Sequence, residues 1–300
     1  GAFLSGGIDS SSIVGLMSEV SSQPVKTFSI GFKEKEYDEL KYARFIAKRF
    51  NTEHYELIMT PGDIGLIEDL IWNLDEPHAN SSAIASYLVA KLAAPHVKVA
   101  LTGAGGDELF GGYHAYIADK LSHYYSFMPG IFGGKFITNL VSSSRLNTQK
   151  PSAARRILRF LKYAHLSFCE RHTQWMSLLG FNDEEKNELY SDFLKSQTNG
   201  IHSLDVTSKY FKKGEQLGLD YLNTAMFVDL NTYLNNDVLQ QVDRMAMASS
   251  IEARVPFLDH RLVEFAFSIP SSLKLRGLSL KFLVKKSMRG LLTDEIINRE

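Results

Sequence analysis

The stretch Ala2-Phe3-Leu4-Ser5-Gly6-Gly7-Ile8-Asp9-Ser10-Ser11 decides the fold. Ala2-Phe3-Leu4 reads as the end of a buried strand, and Ser10 to Val20 reads as a helix. Between them the paired glycines let the chain turn tightly and bring backbone N–H groups close to an anion. The helix start adds the positive end of its dipole, and Ser5, Ser10 and Ser11 add hydroxyl donors. The lysine-bearing GxxxxGK[ST] loop of ordinary nucleotide hydrolases is absent. Asp9 is the informative residue. A carboxylate inside a phosphate cradle repels its ligand unless a divalent cation lies between them, so Asp9 implies Mg²⁺ bound together with a polyphosphate. A serine–glycine turn capping an ordinary helix is the plain alternative, and the strand–turn–helix context of SGGIDSS argues against it.

Outward from this turn, strands and helices alternate. Val25 to Phe32 and His54 to Met59 read as strands, Leu40, Ala43, Ala47 and Phe50 form a helical stripe that Asp38 can cap, and Thr60-Pro61 opens another helix. Ser81 to Ala94 reads as a helix and Val97 to Leu101 as a fourth, continuously apolar strand. Such alternation predicts an α/β fold with a parallel sheet covered by helices. After about Tyr116 the strand signals fade; Arg155 to His172 and Phe227 to Met247 look helical, and Pro129-Gly130 and Gly133-Gly134 mark a loop. The expected organisation is an α/β lobe over 1–120 followed by a mostly helical lobe over 121–300.

Directly after the fourth strand comes Thr102-Gly103-Ala104-Gly105-Gly106-Asp107-Glu108. Ligands of open parallel sheets sit at the carboxyl ends of strands. Asp9 and Asp107 both lie just past such ends, so they are expected to converge on one Mg²⁺ and its polyphosphate.

Composition narrows the partners. In 300 residues, Lys+Arg number 33 and Asp+Glu 34, a formal charge of -1 that gives no global reason to bind nucleic acid or anionic membrane. The basic run Lys150, Arg155, Arg156, Arg159, Lys162 has the spacing of a solvated helix face. No apolar run is long enough to span a bilayer. The single cysteine, Cys169, excludes an internal disulfide, fits a reducing, cytoplasmic setting, and is expected to be a buried inert thiol. His54, His78 and His114 lack metal-ligand spacing.

SGGIDSS resembles the pyrophosphate loop of the ATP pyrophosphatase superfamily. Together with FSIGF, TGAGGDELFGGY and DRMAMASSIEARVPFLDHRLVEFAFSIP, it resembles the synthetase domain of glutamine-dependent asparagine synthetases. That resemblance runs nearly end to end and is weakest between residues 120 and 215. It implies an adenine-nucleotide α-hydrolase-like fold, with ATP and Mg²⁺ as cofactors. Leu4 and Ile30 would flank adenine. Ser5, Gly6, Gly7, Asp9 and Ser10 would hold pyrophosphate; Thr102 and Gly103 would lie near the α-phosphate and ribose; Asp107 would be the second Mg²⁺ ligand. Asp243, Arg244, Glu252 and Arg254 fall at the substrate end, with an Asp243–Arg244 ion pair locking a helix as the plain alternative. Asp259 reads as a cap. The implied reaction adenylates the β-carboxylate of aspartate and lets ammonia displace AMP. The implied partner is an N-terminal glutaminase domain that supplies the ammonia, and a homodimer is an open assembly.

Two departures shape expectations. Ala104 stands where these synthetases commonly carry an acid, which favours a related amidotransferase acting on another carboxylate. The family's lysine that follows an arginine, in a stretch like Ile297-Asn298-Arg299, is expected just past Glu300; the chain also opens at Gly1 directly into a strand. From this, the 300-residue segment is expected to bind ATP and turn over poorly. A non-catalytic ATP-binding domain is a third reading, and the presence of both Asp9 and Asp107 argues against it.

Overall fold

The computed structural model describes residues 1–34, 39–76, 78, 80–125, 160, 162–176, 183–198 and 200–299. They divide into two compact units, one of Gly1–Gly111 with Asp229–Glu300 and one of Gly112–Val228.

The first unit is built on a parallel sheet of β1 (Ala2–Phe3), β2 (Lys26–Phe32), β3 (Glu53–Met59), β4 (Val99–Leu101) and β5 (Glu252–Arg254), in the order β3-β2-β1-β4-β5. Helices α1 (Ile8–Val20), α2 (Leu40–Arg49), α3 (Ile67–Leu74) and α4 (Ser82–Ala93) lie between the first four strands, and α5 (Gly106–Phe110) follows β4. The inner strands β1, β2 and β4 are the most deeply covered, while β3 and β5 form the sheet's more exposed edges. One cluster joins Ala2, Leu4 and Val14 to Ala43, Ile46 and Ala47 of α2 and to Leu292, Ile296 and Ile297. Another joins Phe28 and Ala100 to Ala90, Ala93, Ala246 and Ile251. The winding reverses at β1: β2 and β3 lie to one side of it, β4 and β5 to the other. The reversal opens a crevice between the carboxyl ends of β1 and β4, the place where doubly wound sheets bind ligands.

Several expectations shift. The helical lobe expected over 121–300 is divided, because residues 229–300 return to the sheet. Their Glu252–Arg254 pairs with Val99–Leu101, and their Ile296 and Ile297 are core residues beneath β1. This fifth strand escapes notice because it is a three-residue edge strand, and the alternation Ile251-Glu252-Ala253-Arg254-Val255 that signals it is short and cut off by Pro256. The helix expected at Thr60-Pro61 begins as a 3₁₀ turn over Pro61–Leu66, closed by a capping box between Thr60 and Asp63. Phe227 to Met247 is helical throughout, but Leu230–Val238 is wound as a π-helix, a geometry that concentrates at functional sites. Asp38, the loop at 129–134 and the basic residues 150–159 lie outside the described residues.

The second unit contains helices His114–Tyr125, Phe168–Met176, Ser203–Gln216 and most of Tyr221–Asp229. Cys169 is half-buried there, and burial, with Glu170 and Glu215 nearby, raises its thiol pKa. No helix among the described residues is long and apolar enough to cross a membrane.

Candidate functional site

The turn after β1 is shaped by its glycines and locked by its serines. Gly6 takes φ +74°, and a Cβ on it would stand 2.5 Å from the Cβ of Tyr42, so both conformation and space require glycine. Gly7 is extended and accepts the N–H of Ser11 at 3.0 Å, starting α1. The Ser5 N–H donates to Ser10 Oγ at 3.2 Å, the Gly7 N–H donates to Ser5 Oγ at 3.3 Å, and Ser10 Oγ donates to the Gly7 carbonyl at 3.2 Å. Ser5 is exposed and Ser10 buried behind it, while Ser11 is fully buried with an unpartnered hydroxyl.

The turn after β4 closes over the first. The Thr102 N–H donates to the Arg254 carbonyl at 2.9 Å, which fixes its start to β5. A Cβ on Gly103 would lie 3.0 Å from the backbone nitrogen of Ser10, and one on Gly106 would lie 2.7 Å from Cγ of Asp9. Gly105 takes φ +84°. The glycines of GAGG therefore let backbone run directly over the Asp9 carboxylate, and Asp107 follows from the first turn of α5.

Asp9 and Asp107 meet at a common point, and a residue from the far end of the chain marks it. Lys281 Nζ forms an ion pair with Asp9 Oδ2 and lies 2.7 Å from Asp107 Oδ1. Side-chain exposure is 10% for Lys281, 14% for Asp9 and 35% for Asp107, so the trio grades from buried to open. Asp9 Oδ1 is buried without a hydrogen-bond partner. Burial pushes the Asp9 carboxyl above its ordinary pKa, Lys281 works against that, and Asp107 adds to it. For Lys281, burial is the largest single influence and opposes its charge, but the two carboxylates together outweigh it and raise the ammonium's pKa. One ammonium cannot neutralise two carboxylates. The trio keeps a net negative charge and an unsatisfied acceptor, so the residues fit a divalent cation with hard oxygen ligands. Asp9 and Asp107 would hold such an ion. Among the described residues no group of three or more acids, histidines or cysteines forms a self-sufficient metal cage, so the remaining oxygens would come from ligand and water.

The sequence pattern of the asparagine synthase family matches residues 1–300. The chain belongs to that family. It is 32% identical over 316 aligned residues to asparagine synthetase [glutamine-hydrolyzing] 1 of Bacillus subtilis, covering 100% of this chain and 45% of that protein. It is 24% identical to asparagine synthetase [glutamine-hydrolyzing] 3 of the same organism, covering 99% of this chain and 43% of that protein. Likeness to the amidase chyE of Penicillium rubens is 25%, again over 99% of this chain and 47% of the relative. The chain thus spans less than half the length of these relatives.

The other residues expected of an asparagine synthase domain divide by placement. Leu4 is 2% exposed, and its side chain belongs to the core, whereas Ile30, paired with Leu57 near the carboxyl end of β2, is only half-buried and keeps surface for a base. Glu252 and Arg254 pair with each other at 2.8 Å on the exposed edge strand. Of the two readings of Asp243 and Arg244, the plain alternative of an ion pair between them does not form: Arg244 lies 3.8 Å from Asp75, past the end of α3, and Asp243 is exposed. Neighbours in a helix point a hundred degrees apart, so they do not face each other. Asp259 caps the helix His260–Ser268, accepting the Arg261 N–H at 3.0 Å.

Sequence reasoning missed Lys281, Tyr233 and Asp237. The Tyr233 phenol is pushed up to about 12 by burial, then by Asp237, Glu108, Asp107 and Asp229. Asp237 is held by His78 at 3.1 Å and by Asn80 at 3.2 Å. The π-helical winding of 230–238 was the missing signal for the last two. For Lys281 no local signal exists, since it stands 272 positions from Asp9 in an unremarkable Leu278-Ser279-Leu280-Lys281 run.

Proposed function

We propose that this chain is the ATP-using half of a glutamine-dependent asparagine synthetase. The observation that carries the reading is the convergence of Asp9 and Asp107 at the β1/β4 switch point, beneath two glycine turns and with an acceptor to spare. The β-carboxylate of aspartate attacks the α-phosphorus of ATP, the bond to the bridging oxygen breaks, and pyrophosphate leaves. Ammonia then attacks the acyl carbon of the adenylate, AMP departs, and a proton is lost from nitrogen to give the amide. The Gly6 N–H and the Ser5 hydroxyl, together with the Ser5 and Gly7 N–H groups once they exchange their serine partners for the ligand, receive the departing phosphates, and Thr102 and Gly103 border the α-phosphate. Asp9 and Asp107 would hold Mg²⁺, which would supply charge neutralisation on the leaving group. Most of the catalytic effect would be positioning and electrostatic stabilisation of the pyrophosphate. Ammonia would come from a glutaminase domain of the full-length protein, in a cytoplasmic setting.

A second reading keeps the chemistry and changes the acceptor. Ala104 puts a methyl group where an acid is commonly found, and one relative in the same family is named an amidase. Incubating the full-length protein with ATP, ammonium and a panel of carboxylates, and measuring AMP and pyrophosphate, separates the two. AMP formation that depends on aspartate supports the first reading; dependence on a different acid supports the second; ATP binding with no AMP from any acid overturns both.

A further inference from the structure

Lys281 presents a puzzle that adenylation alone does not solve. Its ammonium sits between the carboxylates that would hold the cation, in contact with both. A divalent cation cannot share that point with it. Nor is the lysine there by accident of a loose surface chain: its side chain is 10% exposed, its backbone takes the left-handed φ of +51°, and its N–H donates to the Gly111 carbonyl at 3.3 Å, next to the end of α5. Without it, two facing carboxylates beneath a glycine roof would repel, and one would protonate or turn away. With it they stay aimed at one point, yet Asp9 Oδ1 is still unpartnered and one negative charge is uncompensated.

We infer that Lys281 is a built-in stand-in for the metal, holding Asp9 and Asp107 in register while the nucleotide site is empty and yielding them when Mg·ATP enters. This rests on the reading of the site as an ATP pyrophosphatase. A lysine suits the task better than an arginine, because a compact ammonium on a four-carbon stem can swing while its backbone stays fixed. Released from the two acids, it remains beside the phosphates that displaced it, so its charge is transferred from the carboxylates to the ligand and is not stranded. The consequence is an entry rule: bare cation must expel an ion-paired ammonium with nothing to receive it and binds poorly, whereas cation carrying polyphosphate offers the ammonium a new partner.

The test is Mn²⁺ binding to the full-length protein, followed by electron paramagnetic resonance, with and without a non-hydrolysable ATP analogue. Lys281→Met and Lys281→Gln are compared with the native protein, reading whichever keeps the native circular dichroism; Lys281→Arg retains the charge. The expected result is that the neutral variants bind Mn²⁺ alone about tenfold more tightly or better, the scale of one adjacent unit charge at a partly exposed site. The same variants should bind the analogue more weakly, and Lys281→Arg should keep bare Mn²⁺ as weak as in the native protein. Equal affinity for Mn²⁺ alone in native and neutral variants overturns the inference and leaves the proposed function intact. Failure of the native protein to bind Mn²⁺ with the analogue defeats the proposed function itself.

Discussion

Among the described residues each unit holds an acid–base cluster around a carboxylate, and the two are built to opposite ends. In the second unit Asp119 is fully buried, with His172 Nδ1 2.5 Å from one oxygen and Arg171 Nε 3.6 Å from the other. Tyr116 stacks on His172, Phe211 meets it edge-on, and Phe168 stacks on Tyr221, whose hydroxyl accepts from Arg171. In the first unit Asp9 and Asp107 share one lysine, keep a negative surplus and are roofed by glycine. Aromatic rings pack against the His172 and Arg171 partners of the first acid, whereas glycine backbone lies directly over the second. The wall beside the carboxylate, more than its burial, is what separates the two clusters.

Reciprocal substitutions would break or sharpen that contrast most sharply. Asp107→Asn is expected to cut AMP formation by about 10²–10³-fold while leaving the denaturation midpoint nearly unchanged. Asp119→Asn is expected to do the reverse, costing about 3–5 kcal/mol in chemical denaturation because Arg171 and His172 lose their buried partner. If Asp119→Asn instead matched Asp107→Asn in lost turnover at native stability, the division between the clusters would collapse.

A smaller effect probes the thin wall. Gly106→Ala places a methyl group 2.7 Å from Asp9 Cγ, and it must push either the turn or the carboxylate aside. A misplacement of that kind costs about 10²-fold in rate, read as AMP release, and full activity in the alanine variant would mean the roof is not a constraint.

The smallest effect is a pH dependence on the sheet edge, outside both clusters. His54 on β3 has Nδ1 2.8 Å from Thr27 Oγ1 and Nε2 3.1 Å from Glu56. Burial, partly offset by Glu56, holds its pKa below the usual 6.5. As pH falls through that value the unfolded chain takes up a proton that the folded one refuses, so the unfolded state carries more protons and stability drops. His54 thus contributes stability that is fully present above its unfolded pKa and lost as pH falls towards the folded one. Thermal midpoints of the native protein and His54→Gln, measured from neutral pH into the mildly acidic range, should converge as pH falls; parallel curves would assign the dependence elsewhere.

The two glycine turns were legible because their chemistry is local. SGGIDSS and TGAGGDE each state a strand end, a turn that needs glycine and an acid at a fixed offset, and the structure confirms the strands, the turns and the meeting of Asp9 with Asp107. Glu252–Arg254 goes unread because the alternation Ile251-Glu252-Ala253-Arg254-Val255 spans only five residues before Pro256, and pairing with β4 is what secures its strand conformation. The alternative pairing of Arg244 with Asp243 fails for a related reason. Sequence adjacency to Asp243 is not spatial adjacency on a helix, and the carboxylate it faces, Asp75, belongs to another element.

The amino-acid sequence alone determined the parallel α/β design, the two glycine turns and the acid that follows each, since each rests on interactions spanning a few residues. Only the tertiary structure decided which cation guards those acids and that residues 229–300 belong with the sheet. Lys281 reaches Asp9 across 272 positions of chain. A single lysine carries no periodicity, no turn requirement and no motif; it becomes meaningful when folding brings its charge against two opposite ones.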